Sequence, residues 1–195
     1  MKCAILHVFI LLSSVSIISC STELAPEAYI AWIKNPGNGF RHVSSANGFH
    51  FDLQYKPLEL IWLEQGGSKA IPLEKVKKKF GDLQYIELSI RPENGQASIL
   101  QVDASTTQKL QQNLYYYSYL FEHDISLEID GERFPCTLFH FERSVDIKPD
   151  RVFSLGFEAP IPKNGLATLI IRSERLSALP IRLQINFSQI PMLKV

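Results

Sequence analysis

Between residues 49 and 55 the chain alternates strictly. Phe49, Phe51, Leu53 and Tyr55 are apolar, and His50, Asp52 and Gln54 between them are polar. A period of two puts each class on its own face of a β-strand. The same alternation runs through "LQYIELSIRP" (83–92). It returns in "LPIRLQINFS", where Ile181, Leu183, Ile185 and Phe187 interleave with Arg182, Gln184 and Asn186. "RVFSLGFE" and "LATLIIRS" are apolar runs of strand length joined by the turn-rich "APIPKNG". After Pro57, "LELIWLEQGG" reads as a further strand ending in a Gly66-Gly67 turn.

The clearest local signal is "DISLEIDGERFPCTLFHFER", two alternating runs around Asp130-Gly131, a favoured two-residue hairpin turn. The implied register pairs 129 with 132, 127 with 134 and 125 with 136. Leu127, Phe134, Ile125 and Cys136 then share one side, and Glu128 faces Arg133 on the other. Pro135 opposite Ser126 marks an edge or a bulge.

Elsewhere the period is helical. "PEAYIAWIKNPGNG" starts at Pro26, turns Tyr29, Ile33 and Trp32 inward, and ends at Asn35-Pro36-Gly37. "IPLEKVKKKFG" starts near Pro72, aligns Leu73, Val76 and Phe80, and stops at Gly81. Its Lys77, Lys78 and Lys79 form a solvated face where the helix dipole favours cations. "STTQKLQQNLYYYSYLF" aligns Leu110, Leu114, Tyr117 and Phe121 behind a Ser105 or Thr106 cap. Seven or more short strands with two or three short helices predict a mainly β fold, an antiparallel, immunoglobulin-like sandwich.

The first nineteen residues follow a different logic. Lys2 is followed by "CAILHVFILLSSVSII", which has no acidic or basic residue apart from His7, and the first acidic residue is Glu23. This is a signal peptide in length and pattern. It ends Ile17-Ile18-Ser19-Cys20, which resembles the bacterial lipobox, in which the leader is cut before a cysteine that carries lipid. The division expected is a leader over 1–19, a polar tether over 20–26 and one β-rich domain over 27–195. Cys20 is then the expected lipidation site; the alternative is an ordinary secretory cut after Ser19 that leaves a free N-terminal thiol. Two or three acyl chains, at about 0.8 kcal/mol per buried methylene, hold a protein at a bilayer persistently.

Charge and cysteine content narrow the functions. With Lys2 lost in the leader, 19 basic residues face 20 acidic ones, a formal charge of −1. Nucleic-acid binding needs many cationic contacts to phosphate, and this balance argues against it. Cys3 leaves with the leader and Cys20 takes lipid, so Cys136 has no partner for a disulfide.

Three kinds of chemistry are open to the remaining residues. A nucleophilic Cys136 would need a base. His140 lies four residues on along the same strand, roughly 13 Å away by strand rise, and His123 would fall diagonally across the ladder. The company of Leu127 and Phe134 favours a buried, inert thiol. For metal binding, His50 with Asp52 and His140 with Glu142 are only two-residue pairs, short of the three or four ligands zinc requires; no metal and no cofactor is assigned. Third, Tyr115, Tyr116, Tyr117 and Tyr119 cannot all face inward on one helix. Tyr115, Tyr116 and Tyr119 are therefore the candidate contact surface for protein, peptide or glycan, while Trp62 is assigned to the core.

"AYIAWIKNPGNGF", "FHFDLQYKPLELIWL" and "FPCTLFHFERSVDIKPDRVFSLGFE" together resemble a group of uncharacterised lipoproteins from the Bacteroidota. The resemblance covers most of the chain after the leader. It implies location and class, supplies no catalytic residue, and draws attention to His140–Arg143. Surface export in that phylum resembles a run of acidic residues after the cysteine. With only Glu23 there, the expected place is the outer membrane facing the periplasm. The function expected is a non-enzymatic interaction or structural module, tethered to the membrane through its lipid and contacting envelope proteins. A glycan- or peptide-binding module and a Cys/His enzyme are the alternatives.

Overall fold

The computed structural model describes residues 23–67, 71–95, 97–142, 149–187 and 190–195. Cys20, with the lipobox expected before it, and Arg143 lie outside them. In chain order the elements are β1 (Glu23–Leu24), α1 (Pro26–Lys34), β2 (Arg41–Ala46), β3 (Phe49–Tyr55), α2 (Leu58–Glu64), α3 (Leu73–Phe80), β4 (Leu83–Pro92) and α4 (Thr107–Tyr119). They continue with β5 (Ile125–Ile129), β6 (Glu132–Pro135), β7 (Leu138–Phe141), β8 (Arg151–Glu158), β9 (Leu166–Ile171), β10 (Ile181–Asn186) and β11 (Met192–Leu193).

The fold is mainly β, an antiparallel sandwich, as the alternating runs predict. One sheet has the order β10-β9-β5-β6, the other β2-β3-β4-β8-β7, and β1 pairs with β11 in a small parallel sheet. The inner faces supply the core. Phe51, Leu53, Leu88, Ile90, Phe153 and Leu155 of one sheet meet Leu127, Ile129, Leu169, Ile171, Leu183 and Ile185 of the other, and all are buried. Burying each such side chain contributes about 1.5–3 kcal/mol against leaving it in water.

Two Asx-Gly turns set the hairpins. At Asp130-Gly131 both residues have positive φ, and the register pairs Leu127 with Phe134 and Glu128 with Arg133, as expected. Asn47-Gly48 does the same for β2–β3. This second signal stands in the sequence, but the polar "RHVSSA" before it hides the edge strand β2. Gly39 is constrained differently. Its φ is +84°, and a Cβ there would lie 2.6 Å from the Cβ of Asn186, so only glycine lets the chain entering β2 lie against the end of β10.

Five local expectations are corrected. The "LELIWLE" run is helix α2, not strand; with Leu60 its buried position, one inward side chain per turn suits a short helix opened by Pro57. This brings the α-helices to four among the described residues. The "FPCTLFHF" segment is two strands in different sheets, with Cys136-Thr137 at the corner. Pro135 cannot donate to a ladder, pairing stops at Ser126–Pro135, and the Thr137 N–H turns to Gly156 O at 2.9 Å. Leu110 and Leu114 of α4 are exposed, and Asn113 with Tyr117 forms its buried line. Val76 and Phe80 of α3 likewise stay partly or largely exposed, with Leu73 buried. Finally, the segment expected as tether is structured from Glu23, because β1 pairs with β11.

Buried polar side chains tie the ends of this frame together. The Gln54 amide donates to the carbonyls of Ile33, Phe40 and Tyr55, fixing the end of α1 to β3. The Tyr55 hydroxyl donates to Gln84, whose amide donates to Ala159 O.

Candidate functional site

The helix α4 begins where the Thr106 hydroxyl accepts from the Lys109 N–H, an N-cap. Its inner side is fastened by side chains. The Asn113 amide donates to Leu100 O and Val102 O at 2.9 and 3.2 Å. Arg175 donates to the Asn113 carbonyl oxygen and lies 4.4 Å over the Tyr116 ring. Tyr117 packs edge-on against Phe121, which meets Phe153 of the core at 5.0 Å.

The tyrosines divide by depth. Tyr117 is buried. Tyr116, half-buried, donates its hydroxyl hydrogen to the Asp124 carboxylate and shares a 2.5 Å hydrogen bond with Ser173. Burial, with the Asp124 carboxylate adding to it, holds this phenol well above its ordinary value, so it stays neutral. Tyr116 is thus a fastening residue rather than a contact residue. Tyr115 and Tyr119 are 59% and 53% exposed, and their rings meet at 5.4 Å, tilted by 48°. With exposed Leu114 and Leu120 on the same helix end, they give α4 an aromatic outer surface on a rigid root.

Beside this root a cavity of about 230 Å³ opens among Ile99, Val102, Asp103, Lys109, Asn113 and Arg175. A larger groove, about 920 Å³, lies between α1, α2, α3 and β11, walled by Ile30, Trp62, Leu63, Leu73, Leu193 and Val195. Trp62 is therefore a groove residue, not a core residue. It is half-buried, and its indole N–H donates to Ile71 O at 2.8 Å. Ion pairs run along the outside of this helix cluster: Lys34–Glu64 at 2.8 Å, Lys56–Glu64 at 2.7 Å and Lys77–Glu59 at 2.9 Å.

The nucleophile candidates are carried by three different segments of the chain. Cys136 sits at the sheet-switching corner, its thiol donating to Leu138 O at 3.1 Å. Burial pushes the thiol up to about 11, which the backbone hydrogen bond at Gly156 only partly offsets, so the thiolate is disfavoured near neutral pH. His123 is not on the ladder but in a 3₁₀ turn over Phe121–Asp124, exposed and 3.7 Å from Glu122. His140 is exposed on β7. His50 faces Ser45 at 3.1 Å, and Asp52 is held by Arg41. Among the described residues no three histidine, cysteine or carboxylate side chains gather closely enough to hold a metal ion, and no helix is long and apolar enough to cross a membrane. The chain matches no protein-family model, no curated protein and no solved structure.

Proposed function

We propose that this chain is a lipid-anchored, non-enzymatic envelope lipoprotein, held at the outer membrane through Cys20 and working as an interaction module. Its docking face is the outer side of α4. The observation that carries this reading is the exposed Tyr115–Tyr119 pair on a helix whose inner side is immobilised by Asn113, Tyr116 and Tyr117. Aromatic rings on a rigid root supply contact area at little ordering cost, the property that makes tyrosine frequent at interfaces. The membrane location rests on the leader, the lipobox and the likeness to Bacteroidota lipoproteins.

A photo-crosslinking amino acid at Tyr119, in cells, tests the docking face. The expected result is a discrete protein adduct that is absent when the same group replaces Leu179, which is 76% exposed and lies outside α4. Equal adducts from both positions, or none at 119, would remove α4 as the docking face. The same two rings also suit a glycan. Oligosaccharide binding abolished by Tyr115→Ser with Tyr119→Ser, in the absence of a protein adduct, would favour that reading.

A further inference from the structure

We infer that the groove between α1, α2, α3 and β11 receives an acyl chain carried by Cys20 of the same molecule, an inference that rests on the lipid-anchor reading above. The groove's walls are mostly aliphatic and aromatic, with Glu27, Glu74 and Lys194 as its charged residues and Trp62 held in orientation by its bond to Ile71 O. Gly66 and Gly67 lie at its edge. A Cβ on Gly67 would already touch the Trp62 ring at 3.5 Å, and nothing stands within 4 Å of where one on Gly66 would be. Both residues have positive φ, +92° and +54°, the conformation that favours glycine at this turn.

The occupant follows from where the chain enters the fold. Leu24 pairs with Leu193, a wall residue, and its carbonyl accepts from the Lys194 N–H at 2.8 Å. Pro26 and Ile30, just beyond, form another wall. Cys20 precedes Glu23 by three residues, a span of at most about 11 Å. An acyl chain that fills one leaflet adds about 15 Å, half the thickness of a hydrocarbon core. The thioether lipid therefore reaches the groove without any rearrangement of the described residues. Tethering gives it an effective concentration that a free phospholipid or a second protein lacks. In a bilayer the surrounding hydrocarbon competes for the chain; in water the groove is its apolar shelter. The groove thus serves the protein whenever its lipid is outside a membrane.

The test uses the full protein extracted from membranes and freed of detergent, with a photo-crosslinker at Val195 or, separately, at Glu74. Both positions are strongly exposed and border the groove, so the fold tolerates the change. The expected product is an internal crosslink to the acylated peptide beginning at Cys20, in a monomer by sedimentation, and it is lost when phospholipid vesicles are added. An acylated Cys20 with no internal crosslink, or with crosslinks to co-purified phospholipid or another protein, overturns the inference and leaves the anchor standing. A mass without acyl chains overturns both.

Discussion

The helix α4 and the α1–α3 cluster both present apolar surface on one sandwich, but they are fastened differently. Hydrogen bonds from Asn113 and Tyr116 and the packing of Tyr117 hold α4 from within. Tyr29, Ile33 and Leu60 root α1 and α2, while α3 buries only Leu73, and the ion pairs that link these helices lie on the outside. Such surface pairs contribute about 0–1 kcal/mol each, and helices of seven or eight residues are marginal without packing. A face fastened by buried hydrogen bonds is pre-formed for docking. The helix cluster already holds an open groove of about 920 Å³ that can admit a chain.

This contrast is easiest to break at Tyr117. Tyr117→Ala removes a fully buried ring from the root of α4 and is expected to cost about 3–5 kcal/mol, read by chemical denaturation. Tyr116→Phe keeps the ring and removes the hydroxyl that meets Asp124 and Ser173. It should cost about 1–2 kcal/mol, with increased amide exchange along α4. In the cluster, Glu64→Gln should cost about 1 kcal/mol or less, and less still in high salt.

That third effect has a pH signature. Burial raises the Glu64 carboxyl, but hydrogen bonds from Lys34 and Lys56 outweigh it and hold the group below its ordinary value. A depressed carboxyl stabilises the fold above its unfolded pKa, and that stabilisation is lost as pH falls through the folded value. The difference between the wild-type protein and Glu64→Gln should therefore be full at neutral pH and vanish in acid. The smallest stability change belongs to Tyr115→Ser with Tyr119→Ser, within about 0.5 kcal/mol. With the photo-crosslinking group carried at exposed Leu114 instead, that variant should nevertheless lose the protein adduct that the otherwise wild-type protein gives.

The strands were legible because alternation is a direct imprint of a half-buried surface, and Asp130-Gly131 fixed one hairpin's register in advance. What escaped was set by tertiary context. Nothing in "LELIWLE" separates a seven-residue helix from a strand, since its apolar positions satisfy both periods. Leu110 and Leu114 look more like core residues than Asn113 does, yet Asn113 is buried because the carbonyls of Leu100 and Val102 need a donor. The division of the tyrosines followed from helical geometry, but the role of Tyr116 depended on Asp124 and Ser173, eight and 57 residues away. The groove was invisible because it joins the first helices to the last strand, and no local pattern records that pairing.

The central claim is the anchor at Cys20, and intact mass of the membrane-extracted protein, beside a Cys20→Ala control, tests it most directly. The account predicts residues 20–195 plus acyl chains, with the added mass absent from the control. A bare polypeptide mass would contradict it, removing both the tether to the membrane and the occupant assigned to the groove.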